Sequence, residues 1–298
     1  AVAEVRRLTT KPFGVNLFVP APFEVDSAKV AATVEALRPF AAKYDLELSA
    51  DPPYAEDFDA QLEVVIAERV PMFSFTFGIP GADRLDSARA AGIAVCGTAT
   101  SVAEAAALDR AGVDIVCLQG AEAGGHRGGF IGVPEDSLVG IGALTAEART
   151  MTDLPLIAAG GIVDGRGVAA ALTGGADAAQ LGTAFLRCPE AGTSAAHRAA
   201  LESARATDTV ITRAFSGGAA RGIRNALTEA LADGPVPAYP VMNARTRELR
   251  RRAAAAGDGS MVSLWAGQGV AGGRALPARD LVVALEREAE EAFALFDG

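Results

Sequence analysis

Ala111-Gly112-Val113-Asp114-Ile115-Val116-Cys117-Leu118-Gln119-Gly120 decides the fold: a helix end, a glycine, a short apolar run, then a glycine-rich loop. The same succession of helix end, Gly and new strand recurs at Ala91–Val95 and Gly174–Ala178. Gly92, Gly112 and Gly175 follow the last helical turn, where a left-handed cap is wanted. Apolar runs at Phe13–Val19, Pro71–Phe77, Ile93–Thr98, Val113–Leu118, Pro155–Ala159, Ala178–Leu186 and Thr209–Phe215 are short and mostly continuous, as strands buried on both faces should be. Helix candidates lie between them at Val25–Lys43, Glu56–Arg69, Ala82–Ala91, Ser101–Ala111, Gly165–Thr173 and Thr193–Ala206. Such a βα rhythm predicts a parallel α/β sheet, which right-handed crossovers close into a (β/α)8 TIM-type barrel.

Roughly seven strands are expected where a closed barrel has eight. Ala1–Thr9 has the pattern of a helix tail running into the strand at Phe13, so the barrel is expected without its first βα unit. That start fits either an abbreviated chain or a differently closed fold. Beyond Phe215 the rhythm stops. Ala220–Leu231 is expected to be helical, Gly234–Pro240 a proline-rich loop, Val241–Ala256 a basic helix and Pro277–Phe296 a closing amphipathic helix. The expected organisation is a barrel over 1–220, a small helical lid over 221–276 and a closing helix over 277–298 that packs on the barrel.

The 298 residues suit one barrel of about 250 residues with decoration. Half the residues are hydrophobic and the mean hydropathy is +0.24, enough for a large core. A net charge of -10 argues against nucleic acid or an anionic membrane as partner, though not against a small anion in a local site. Cys96, Cys117 and Cys188 show no metal-ligand or CxxC spacing, so buried free thiols in a reducing cytoplasm are expected, with no metal. No stretch has the roughly 18 consecutive apolar residues of a membrane span.

The strongest chemical signal is Gln119-Gly120-Ala121-Glu122-Ala123-Gly124-Gly125-His126-Arg127-Gly128-Gly129, directly after a strand. Loops at strand C-termini build barrel active sites, and glycines let backbone approach a flat ligand. His126 is one of two histidines in the chain and can act as acid, base or hydrogen-bond donor near neutral pH. His197 stands in an Ala-rich helix and is assigned a structural place. Arg127 fits a surface charge as well as a site residue. Arg245, Arg247, Arg250, Arg251 and Arg252 suit a solvated helix face. Two glycine turns follow late strands: Ala158-Ala159-Gly160-Gly161-Ile162, just before the helix at Gly165, and Gln180-Leu181-Gly182-Thr183. Paired turns of this kind cradle phosphate through backbone N–H groups and a helix N-terminus, with the Thr183 hydroxyl as a further donor. Tight strand-to-helix packing is the plainer explanation of the same glycines. Asn16 closes a strand stretch, and its amide can reach a ring edge or serve a turn.

Together these motifs resemble the nitronate monooxygenases, formerly called 2-nitropropane dioxygenases. Phe13–Asn16, Gln119–Gly128, Ala158–Ile162, Gln180–Thr183, Ser216–Asn225 and Trp265–Gly269 occur in the family's order over nearly the whole chain. The resemblance implies FMN, contacted by Asn16, Gln119, Gly124, Gly161 and Gln180 through Thr183, Gly160 sharing the first glycine turn. It implies His126 beside the substrate as the catalytic residue, and oxidation of alkyl nitronates by O2 to a carbonyl compound and nitrite. For a neutral nitroalkane His126 would also accept the α-proton. The family's opening strand, which ends in a Gln/Ala-Pro-Met-like turn against the flavin, has no match here. An FMN-dependent enoyl-acyl-carrier-protein reductase shares the Glu-Ala-Gly-Gly-His loop; Gln119 and Trp265–Gly269 favour the monooxygenase. A non-catalytic phosphate-binding barrel fits the late glycine turns but not His126.

Overall fold

The computed structural model describes residues 1–295. The chain begins with helix α1 (Val2–Leu8), strand β1 (Gly14–Phe18), and helices α2 (Ser27–Ala42) and α3 (Phe58–Ala67). Strand β2 (Met72–Thr76), α4 (Ala82–Ala90), β3 (Ala94–Ala99), α5 (Val102–Arg110) and β4 (Ile115–Gln119) then alternate regularly. Next come β5 (Gly125–His126), α6 (Ile141–Arg149), β6 (Leu156–Ala159), α7 (Gly165–Thr173) and β7 (Ala178–Gln180). The remainder comprises α8 (Ala195–Ser203), β8 (Thr209–Thr212), β9 (Ala220–Ile223), α9 (Ala226–Ala230), α10 (Val241–Ala255) and α11 (Ala278–Ala294).

Side chains at the helix starts explain where many of these elements begin. Asp26, Asp57, Ser101, Asp164 and Ser194 each accept from a backbone N–H of the first turn, the usual stabilisation of an N-terminus. Six strands form one parallel sheet in the order β1-β2-β3-β4-β6-β7. It is an arc of an α/β barrel, with β1 and β7 at its edges; a closed barrel has eight strands. Leu17, Phe73, Phe75, Val95, Val116, Leu118 and Leu156 point from the sheet into a layer completed by Phe58, Leu62, Leu85, Leu108 and Leu144 from the helices. The opposite face, carrying Gly14, Asn16, Met72, Ser74, Cys96, Cys117 and Gln119, lines a cavity.

The expectation of about seven parallel strands is corrected to six among the described residues. Thr209–Phe215, expected as the last of them, supplies instead β8 of a separate antiparallel sheet in the order β5-β9-β8. Ala220–Ile223 is correspondingly strand and not helix, and α6 was not foreseen. A second core joins Leu37 and Leu48, near α2, to Leu201, Phe215, Leu227, Met242, Leu249 and Leu264. Residues of 221–276 therefore pack as one body with chain that precedes them, in 34–48 and 186–215. Helix α11 lays Leu281, Leu285 and Ala289 against the barrel beside α7; Phe296, expected in this helix, and the rest of 296–298 lie outside the described residues. No helix among the described residues is long and apolar enough to cross a membrane.

Candidate active site

At the C-terminal ends of the parallel strands lies a cavity of about 700 Å³. Asn16, Gln119, Gly124, His126, Gly160, Gly161, Gln180, Gly182 and Thr183 line it. Leu181 is the exception: its side chain turns outward to pack with Ala184, Leu281 and Leu285, so only its backbone remains near the site. A second cavity of about 640 Å³ lies beside the first, walled by Phe23, Tyr54, Phe77, Phe130 and Tyr239. The two share Asn16, Phe18 and His126.

His126 belongs to β5, and its position is set by pairing with β9, His126 opposite Ala220. Its Nε2 lies 2.7 Å from Ser216 Oγ. The rings of Trp265, Phe77 and Tyr239 surround it at centroid distances of 5.2, 5.7 and 5.7 Å. Burial, and secondarily the Arg250 cation, push its pKa down to about 4, so the imidazole is neutral at pH 7.

The loop that carries His126 is fastened from several directions. Gln119 Nε2 donates to the His126 carbonyl at 2.8 Å, and its Oε1 accepts from Gly128 N at 2.9 Å. Gln119 thus braces the loop while facing the cavity. Arg127, 1% exposed, donates to the Gly120 carbonyl at 2.6 Å and the Gln119 carbonyl at 3.2 Å. It is a buried clamp and not a surface charge. Arg221 adds a bond to the Ala121 carbonyl at 2.9 Å. Ser101-Val102-Ala103-Glu104 has the form of a capping box, but the buried Glu104 carboxylate accepts instead from Thr100 N and from the backbone N–H groups of Phe130 and Ile131. These clamps escaped sequence reasoning because each bond joins residues that only the fold brings together; the Ser-x-x-Glu spacing and the burial-prone setting of Arg127 among glycines were the available signals.

The two glycine turns differ in character. Gly161 has φ +71°, which disfavours other residues. Gly182 needs no such freedom: its φ is -111°, and a Cβ there would meet nothing within 4 Å. The protein itself gives no reason for a missing side chain at Gly182, whereas a ligand pressed against this backbone would. Thr183 opens a short 3₁₀ turn, whose first N–H groups lack partners within the turn. Its hydroxyl accepts from Gly267 N at 2.9 Å, which leaves the hydroxyl proton to donate. The expected dipole contribution from α7 is corrected: Asp164 accepts from Gly167 N and Glu288 from Gly165 N, so carboxylates of the protein already fill that N-terminus. Asn16 Oδ1 accepts from Ser74 and Thr76 at 3.1 and 3.3 Å, which turns its amide group toward donation.

Segment 264–269 ties both halves together. Gln268 N donates to the Glu122 carbonyl, Gly267 N to Thr183 Oγ1, and Trp265 bridges Gly222. His197, as expected, is structural, its Nε2 donating to the Trp265 carbonyl at 3.0 Å. Within the basic cluster, Arg251 and Arg252 are exposed and pair with Glu248, but Arg250 is half-buried and, among the described residues, bonds only neutral groups: Thr246, Ser263 and Asn243.

A family model described as nitronate monooxygenase matches residues 1–288. The chain is 42% identical over 299 residues to the nitronate monooxygenase of Pseudomonas aeruginosa, covering 96% of this chain and 84% of that one. It is 41% identical over 269 residues to a probable nitronate monooxygenase of Staphylococcus aureus, covering 89% and 76%. Among solved structures, nitroalkane oxidase from Streptomyces ansochromogenes superposes with a TM-score of 0.93 at 41% identity, covering 99% of this chain and 85% of that one. FabK from Thermotoga maritima superposes with a TM-score of 0.74 at 28% identity, covering 100% and 82%. With its glycine-lined cavity, its clamped histidine loop and these likenesses, the chain belongs to the nitronate monooxygenase family of flavin-dependent oxidoreductases.

Proposed function

We propose that this chain holds FMN in the inner cavity and oxidises alkyl nitronates, and more slowly nitroalkanes, with O2 to a carbonyl compound and nitrite. The observation that carries this reading is the meeting of two cavities at His126: one lined by glycine turns, the other by aromatic rings. The inner one suits a flat cofactor with a phosphate, the outer one a small organic substrate.

The residues present fit FMN. Open space over Gly182, the donor hydroxyl of Thr183 and the turn at Gly160–Gly161 offer a phosphate cradle. Asn16, Gln119, Gly124 and Gln180 line the wider part, where the ring system would lie, and Leu181 contributes backbone alone. In this reading 1–220 carries the cofactor, 221–276 covers it and the closing helix within 277–298 braces the barrel. When bound, the flavin supplies the electron acceptor and the route to O2. The protein's part is to bind, orient and exclude water. Neutral His126 hydrogen-bonds the nitronate oxygen from the shared wall, and Phe18, Phe77, Tyr239 and Trp265 keep the reacting carbon away from solvent.

FMN is held without a covalent bond. Heat or acid denaturation of the FMN-loaded protein is expected to leave about one FMN per chain in the supernatant. Flavin that stays with the precipitate, or a protein that takes up none, contradicts the assignment.

A further inference from the structure

We propose that Ser216 is a positioning residue that stores the proton of neutral His126 on Nδ1, fitting the site to nitronate anions in preference to neutral nitroalkanes. The proposal rests on His126 facing the substrate, as argued above.

Strand pairing builds the contact. His126 lies opposite Ala220, and Arg127 N donates to the Ala219 carbonyl at 2.8 Å. That register holds the imidazole over the turn Ser216-Gly217-Gly218. Ser216 is 0% exposed, and its Oγ lies 2.7 Å from Nε2. Gly218 closes the neighbouring edge of the ring: a Cβ there would stand 3.2 Å from Cδ2. With Trp265 and Phe77 packed around it, the imidazole has one place to sit.

The direction of the proton follows from counting donors. If Nε2–H donated to Oγ, the serine hydroxyl would be a buried donor with no other acceptor among the described residues, an arrangement native proteins avoid. If the hydroxyl donates to Nε2, the buried Ser216 donor is satisfied, and the ring carries its proton on Nδ1. That nitrogen makes no bond to the described residues and is not among their buried unpartnered atoms, so it opens on the cavity. There an N–H meets the anionic oxygen of a nitronate in a charge-assisted bond. A neutral nitroalkane instead needs a lone pair on the same nitrogen. It obtains one only if the ring changes tautomer and strands the Ser216 hydroxyl.

The test uses the FMN-loaded chain labelled with ¹⁵N-histidine. Only two histidines respond, and His197 is an internal reference, because its bond to the Trp265 carbonyl requires Nε2–H. Long-range ¹H–¹⁵N correlation at pH 7 should show His126 protonated on Nδ1, opposite to His197. In Ser216→Ala that preference should be lost, and kcat/KM for a primary nitronate should fall about tenfold relative to the matched nitroalkane, the scale of one hydrogen bond. Ser216→Thr should restore both. His126 protonated on Nε2 in the unsubstituted protein overturns the proposal, and that measurement needs no variant to fold. An unchanged tautomer or an unchanged substrate ratio in Ser216→Ala overturns it as well. Failure of the underlying functional reading has a different signature: His126→Asn would leave nitronate turnover intact whatever the tautomer.

Discussion

At the scale of single residues, the site turns on a neutral histidine and on a glycine without a packing reason. His126→Asn removes the donor to the substrate oxygen while keeping the side chain polar. Nitronate kcat/KM should fall by the worth of a charge-assisted bond, about 1.5–3 kcal/mol or roughly 10- to 150-fold. The nitroalkane, which also needs a base, should lose about 10²–10⁴-fold. Steady-state oxygen uptake on protein of equal FMN content measures both, and equal losses would remove the base role. Gly182→Asp places a carboxylate where phosphate is expected, so like-charge repulsion should empty the site; full FMN absorbance in the purified variant would refute the cradle. His126 was legible in the sequence because a chain with two histidines spends one of them in a glycine-rich loop after a strand. Ser216 and Glu104 were not, since their partners lie 90 and 26 residues away. For a related reason the outward packing of the Leu181 side chain was not legible: alternation around a turn does not show which side chain faces in.

At the scale of elements, α5 and α10 act on the site through one charged side chain each, Glu104 and Arg250. Glu104, on α5, accepts from three backbone N–H groups and the Thr100 hydroxyl. Glu104→Ala orphans these donors, which should lower stability by about 3–5 kcal/mol in urea unfolding and loosen the loop bearing His126. Glu104→Gln, which keeps an acceptor, should cost visibly less; equal stability of all three proteins would show that the clamp is idle. Arg250, on α10, is a half-buried cation without a carboxylate partner among the described residues, and it adds to the burial that holds His126 at about 4. Arg250→Met removes the repulsion between two cations. The His126 pKa should therefore rise from about 4 toward its usual 6.5, though not reach it, because burial is the larger cause. The readout is the acid limb of the nitroalkane pH profile; a limb that stays put or moves down contradicts the assignment. Helix boundaries were largely legible because Asp, Ser and Gly mark them locally, as Asp164 does for α7. The sheet β5-β9-β8 was not, because β5 is two residues long and finds its partner across the chain.

At the scale of the whole molecule, six parallel strands bring the two glycine turns and the histidine loop to one cavity, and the second core reaches that cavity through Leu186 and Trp265. The parallel sheet could be read from repeated helix–Gly–strand junctions such as Ala111–Ile115. The second core could not, because it unites Leu37 with Leu264, and no periodicity links such distant positions. The proposed oxidation differs from a reductase reaction at the same histidine loop in needing O2 and no nicotinamide donor. The most direct measurement is parallel oxygen uptake and nitrite release by the FMN-loaded chain given a primary alkyl nitronate, without NADPH. Nitrite is expected to accumulate as oxygen is consumed, and both rates are expected to fall together by roughly 10- to 150-fold in His126→Asn. Oxygen uptake without nitrite, or activity that appears only with NADPH, would contradict the proposed oxidation.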